Sequence, residues 1–272
     1  MNIDIFSEFN AKCKSIWTEF EKVAIMTPFQ SYHWLSLWYE SIGGPLLSIN
    51  PKIVYLHHKG KTIAIFPFGI RQKFGVKTLN WLGGNQADYM GPLLSREISN
   101  DFYDKKLFEF IKFKLGGIDL IQLYKQNSET ISILKNMGFP LLETLDTNSF
   151  NASLSDSWDE YLARIKKRIL SDTNRQKRRI NKVGRMEFII ADSKEEKLEV
   201  IRTMMDQKSK QYRTTGVWDM LSINEYQTFF NSLADFDSEI IKAHCSALKV
   251  NDSIIATHIG IINNITFITN LH

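Results

Sequence analysis

Two stretches of the chain double back in the same way, and that repetition constrains the architecture more than any other feature. PKIVYLHHKGKTIAIFPFGI, residues 51–70, is a pair of β-rich runs around Lys59, Gly60 and Lys61. Gly60 supplies the positive φ that a tight hairpin turn needs. AHCSALKVNDSIIATHIGI, residues 243–261, has the same form. Placing Tyr55 on Ser246 lays the turn Lys59 to Lys61 over Val250 to Asp252, Ile63 over Ile254, Gly69 over Gly260 and Ile70 over Ile261. Identity is low, but the shared order of helix, strand pair, glycine break and third strand reads as a tandem duplication.

The segments around the hairpins fill in each copy. TPFQSYHWLSLWYES starts a helix at Thr27 and Pro28, with Phe29, Trp34, Leu37 and Trp38 as its core stripe. KTLNWLGG gives a third strand, and the Gly83 and Gly84 pair marks a turn. The helices DFYDKKLFEFIKFKL and SETISILKNMGF flank the strand GIDLIQLYK, and PLLETLDTNSFNASL, residues 140–154, returns as strand-like sequence. The second copy opens near Trp158 with a long basic helix. It continues through the strand RMEFIIAD and the helical stretches EEKLEVIRTMMDQKSKQYR and INEYQTFFNSLA. The expected fold is therefore α/β: two like modules, residues 1–152 and 153–272, each a mixed, largely antiparallel sheet flanked by helices.

The first copy predicts what the second should contain. Roughly 65 residues follow its third strand, while nothing follows NITFITNLH in the second. The second module is expected to be incomplete, with an open sheet edge that a partner chain could cover.

Several kinds of chemistry are excluded at this level. Cys13 and Cys245 lie too far apart for a metal motif or a disulfide framework, which points to a reducing, cytoplasmic setting. Neither a signal peptide nor an apolar run of about 18 residues occurs, so no membrane span is expected. His57 and His58 face opposite sides of a strand and cannot share one metal. No Ser-His-Asp, zinc or P-loop arrangement is present, and no metal is expected.

The net charge of +4 is small, but Ala163 to Arg185 holds ten basic residues against Asp172 alone. The readings open for that run are a solvated helix face or an anion-binding surface for an acidic acceptor or glycan, a membrane face or nucleic acid. The absence of aromatic residues from the run disfavours the last. Lys208, Tyr212 and Arg213, ahead of the glycine break at Gly216, form a candidate acceptor-binding segment. His258, beside Thr257, is the weak candidate for a general base.

Taken in order, TPFQSYHWLSLWYE, KGKTIAIFPFGI, LNWLGGNQADYMGPL, WDEYLARIKKRILSDTNRQKRRINKVG, MMDQKSKQYRTTG and SALKVNDSIIATHIGI resemble the GNAT acyltransferase superfamily. The likeness is to its double-domain branch, the CelD-type cellulose-biosynthesis acetyltransferases, and more distantly to FemAB-type aminoacyl transferases. The resemblance implies an N- or O-acyltransferase that takes acetyl-CoA or another acyl-CoA as co-substrate. It puts the co-substrate groove at Phe267, Thr269, Asn270 and His272, and the pyrophosphate on a Gly-containing loop after them. The expected activity is impaired where that loop is missing. A non-catalytic interaction module, or half of a split enzyme completed by a partner chain, is the alternative.

Overall fold

A computed structural model describes residues 2–96, 105–140, 157–263 and 267–269. The strand-like reading of residues 140–154 falls almost wholly outside these, as do Asn270 and His272.

The first sheet has seven strands and forms around the first hairpin. β1 (Asn2–Phe6) pairs antiparallel with β3 (Asn50–His58), which pairs with β4 (Lys61–Lys73). β4 is long enough to serve two neighbours along its other edge. Its first half pairs with β6 (Leu93–Ser95), itself joined to β2 (Ala24–Ile25), and its second half pairs with β5 (Val76–Trp81). β7 (Leu120–Gln122) then joins β5 in parallel, making the sheet mixed but largely antiparallel, as the sequence predicts. The second sheet has four strands, all antiparallel: β8 (Met186–Ile190), β9 (Ile241–Val250), β10 (Ser253–Asn263) and β11 (Phe267–Thr269).

Both hairpins turn through two residues, Lys59-Gly60 in one and Asn251-Asp252 in the other. Each then carries one unpaired residue early in its second strand, Ile63 in β4 and Ile255 in β10. The two-residue turns set the overlay one position from the expected one, with Lys59 (φ 49°) on Asn251 (φ 53°) and the bulged Ile63 on the bulged Ile255.

The helices α1 (Ala11–Glu21) and α2 (Tyr32–Trp38) serve the first sheet, with α3 (Leu107–Leu115) and α4 (Ser128–Asn136) at its far side. The sequence reading passes over β1 and α1. It also starts the next helix too early: Pro28–Gln30 is a 3-10 turn, with the Gln30 side chain accepting from Thr27 N–H, and α2 begins only after Ser31 caps Trp34 N–H. Phe29, Trp34 and Trp38 are buried as expected, while Leu37 is half-buried.

The basic stretch forms two helices, α5 (Trp158–Arg164) and α6 (Lys167–Ile180), parted by extended backbone at Ile165. α7 (Lys194–Thr215) is opened by a Ser193/Glu196 capping box and closed by Gly216 in the left-handed region (φ 70°). α8 (Asn224–Ser232) follows. α7 packs on β9 and β10 through Val200, Ile201 and Met204, against Cys245, Ala247 and Ile259. Apolar contact continues from one sheet's helices to the other's: Trp34 of α2 meets Phe229 of α8 and Phe236 edge-on, at 5.2 and 5.7 Å. Both sheets thus share one buried core.

Candidate functional site: the two faces of the second sheet

Strand alternation sorts the second sheet into two faces. On the α7 face stand Ala243, Cys245 and Ala247 of β9, with Thr257, Ile259 and Ile261 opposite them on β10. Gln207 fastens α7 there, its Nε2 donating to Ile254 O at 3.5 Å and its Oε1 accepting from Thr257 Oγ1 at 3.3 Å. The other face carries His244, Ser246, Leu248, His258 and Ile262, continued on β8 by Phe188 and Ile190.

Lys208, Tyr212 and Arg213 sit on the last two turns of α7 rather than on a loop. Lys208 and Tyr212 are half-buried and share a side, being four residues apart. Arg213 is exposed, with its Nε–H donating to Ser209 O at 3.2 Å. The stretch after the helix folds back on it: Asp219 accepts from Ser209 Oγ and from Leu221 N–H, both at 3.1 Å. Burial, with Asp219 nearby, pushes the Tyr212 phenol above its ordinary range. This cluster combines a cation, a phenol and a carboxylate at a helix end, which suits a polar acceptor.

His258 is not part of that cluster. It lies on the opposite face, where its ring is 5.7 Å from that of His244. Burial lowers the pKa of both, and His258 and Lys197 lower that of His244 further, so both are neutral imidazoles at pH 7, the form a general base requires. The pairing of β9 with β10 brings His244 beside His258, and the hairpin register was the signal that could have found it. Ser209, Gln207 and Asp219 had no comparable signal, because their partners lie on other elements.

Thr269 sits opposite Gly260, and Phe267 opposite Ile262, so β11 runs beside the last residues of β10, past His258. β11 is an edge strand among the described residues, and such an edge offers backbone N–H and C=O groups for an amide-bearing chain such as pantetheine. The equivalent loop of the first sheet does not fit a pyrophosphate. Lys125 fills it, donating to Asn85 O at 3.3 Å and Ala87 O at 2.8 Å, with Asp88 at 3.9 Å. A loop whose carbonyls surround an ammonium is built for a cation. The Gly83 and Gly84 pair is a turn as expected, and a Cβ on Gly84 would lie 2.8 Å from the Trp38 ring.

Among the described residues, no group of three or more His, Cys, Asp or Glu side chains is placed to hold a metal ion. Residues 167–269 match the family model of the acetyltransferase (GNAT) domain, and those bounds run from the first residue of α6 to the last of β11. GNAT domains in general take an acyl-CoA as co-substrate. The chain is also similar to a conserved protein of unknown function from Bacteroides thetaiotaomicron, with 12% identity and a TM-score of 0.49 over 95% of this chain and 75% of that one. It is similar, too, to glucosamine-6-phosphate N-acetyltransferase from Arabidopsis thaliana, with 15% identity and a TM-score of 0.33 over 56% of this chain and all of that one. No curated protein matches the chain.

Proposed function

We propose that the second sheet and its helices form the site of an acyl-CoA-dependent N- or O-acyltransferase, of the double-domain CelD-type branch. The observation that carries this reading is the GNAT domain match from α6 to β11. In the transfer, the acceptor nitrogen or oxygen attacks the thioester carbonyl, the carbon–sulfur bond breaks, and the proton lost by the acceptor is balanced by the thiol of released CoA. Lys208, Tyr212 and Arg213 bind a small polar or glycan acceptor, and the family resemblance assigns the co-substrate to Phe267, Thr269, Asn270 and His272, the last two outside the described residues. His258 is the weakest of these assignments, because it stands across the sheet from the acceptor cluster. Titration calorimetry with acetyl-CoA, followed by thiol release on a panel of amines and alcohols, tests the proposal. Saturable binding and acceptor-dependent thiol release support it.

A second reading has its own observation. Phe188 and Ile190, on the face of the second sheet away from α7, are 64% and 55% exposed. Apolar side chains left in water on a sheet face suit a surface that another chain covers. This reading makes the protein an interaction module or one half of a split enzyme, with the co-substrate site impaired until the partner docks. A folded chain that shows no heat with acetyl-CoA alone, and binds it once a partner is added, favours this reading over the first.

A further inference from the structure

The basic helix pair buries nothing. Neither α5 nor α6 contains a buried residue, although α6 runs for 14 residues and a helix of that length in a globular protein ordinarily packs one side against a core. Its side chains are nevertheless sorted. Ile169, Thr173, Gln176 and Ile180 follow one another at spacings of four, three and four, a single stripe along the helix. Arg168, Lys177, Arg178, Arg179 and Lys182 occupy the remainder, and Asp172 is tied to Arg175 at 3.0 Å. Ile169 of that stripe is 54% exposed while Ile180 is half-buried, and Trp158 at the start of α5 (68%) and Val183 just past α6 (79%) are in water as well.

We infer that α5 and α6 lie on an anionic lipid surface, with the Trp158, Ile169 and Val183 side chains in the acyl boundary and the basic side chains at the headgroups. The attachment is interfacial, since no helix among the described residues is long and apolar enough to cross a membrane. Two features select lipid over nucleic acid. Apolar side chains gain nothing against a phosphate backbone, whereas their area leaves water in a bilayer interface. The exposed ring of Trp158 stacks on Tyr161 at 5.5 Å, just ahead of the basic run, where an interfacial anchor belongs. Ten basic residues against one acidic between Ala163 and Arg185 supply the charge complementarity.

Co-sedimentation of the full chain with vesicles tests this without any acyl-CoA, so its outcome is separate from that of the transferase reading. Vesicles of phosphatidylcholine mixed with phosphatidylglycerol should carry the protein down, and vesicles of phosphatidylcholine alone should not. Each headgroup-facing Lys or Arg is worth about fivefold in affinity, so Lys177→Ala, Arg178→Ala and Arg179→Ala together should weaken binding by about a hundredfold. These residues bury nothing, and unchanged circular dichroism will show that the variant is folded. Ile169→Gln should weaken binding with the charge intact. Tryptophan emission should shift to the blue on the anionic vesicles, and Trp158→Phe should abolish the shift while Trp218→Phe preserves it. Equal binding to neutral vesicles, no binding to either kind, or tighter binding to a DNA oligonucleotide than to the anionic vesicles would overturn the inference.

Discussion

Trp34 stands edge-on to Phe229, ring centres 5.2 Å apart and planes at 87°, so a side chain from α2 is packed by one from α8. The two sheets therefore lose stability together. Trp34→Ala should cost about 3–5 kcal/mol through the cavity it leaves. Urea unfolding followed by both tryptophan emission and circular dichroism should show one shared transition, and two separated transitions would refute the coupling. Among the described residues the Trp34 indole N–H has no acceptor, so Trp34→Phe, which removes that donor, should cost visibly less than alanine.

Glu21 is a buried carboxyl that accepts Tyr32 N–H at 3.0 Å, and burial raises its pKa to about 7. The folded chain thus holds a proton that the unfolded chain releases near the usual carboxylate range. The stability this contributes is fully present below the unfolded pKa and is lost as pH rises through about 7. Unfolding midpoints should fall between about pH 5 and pH 8, and Glu21→Gln should flatten that part of the profile. An unchanged profile in the variant would remove Glu21 as the source.

Lys125 holds the loop after Gly84 by two carbonyls. Lys125→Met keeps the stem but strands those oxygens, at a cost of about 1–3 kcal/mol. Hydrogen exchange should quicken at Met90, whose N–H donates to Lys125 O at 2.9 Å, before it quickens in β3 or β4.

Gly138 has a φ of +83°, and a Cβ there would lie 1.9 Å from Lys105 O. Gly138→Ala must therefore move backbone, and a loss of more than about 1 kcal/mol is expected. Thermal unfolding beside Gly60→Ala, where a Cβ meets nothing within 4 Å, separates the steric cost from the cost of a positive φ.

If Lys208 and Arg213 bind the acceptor, Lys208→Ala and Arg213→Ala should raise the acceptor KM while leaving kcat and the unfolding midpoint close to wild type. A fall in kcat with KM unchanged would assign them elsewhere.

The hairpins were legible because their signals are local: Gly60 needs its turn, and β-branched runs flank it. The core stripe of Phe29, Trp34 and Trp38 was legible for the same reason. β1 was not, since five residues of mixed polarity become a strand only by pairing with β3. The bulges at Ile63 and Ile255 were hidden as well, because an unpaired residue is defined by its partner strand and not by its own identity. At the site, strand alternation and the packing of α7 place the sheet between His258 and the Lys208–Arg213 segment, a separation that neither segment carries by itself. Period two along β10 sorts its residues by face, while the face that α7 covers could be read only from the Gln207 to Thr257 contact.

The bulge at Ile255 also bears on how the chain tolerates changes in length. Past it, Cys245 meets Ile259 and Ala243 meets Ile261 with their side chains under α7. Before it, the turn fixes Val250 against Ser253. Losing Ile255 would only remove the bulge, leaving Ile254 opposite Lys249 and Ala256 opposite Leu248, whereas gaining one residue past it would turn every later side chain of β10 to the wrong side, sending Ile259 and Ile261 into water and His258 under the helix. A point substitution at Ile255 is a local event. A single-codon insertion past the bulge reverses the sidedness of the rest of the strand, so longer variants should be far scarcer here than shorter ones or than variants that differ in residue type.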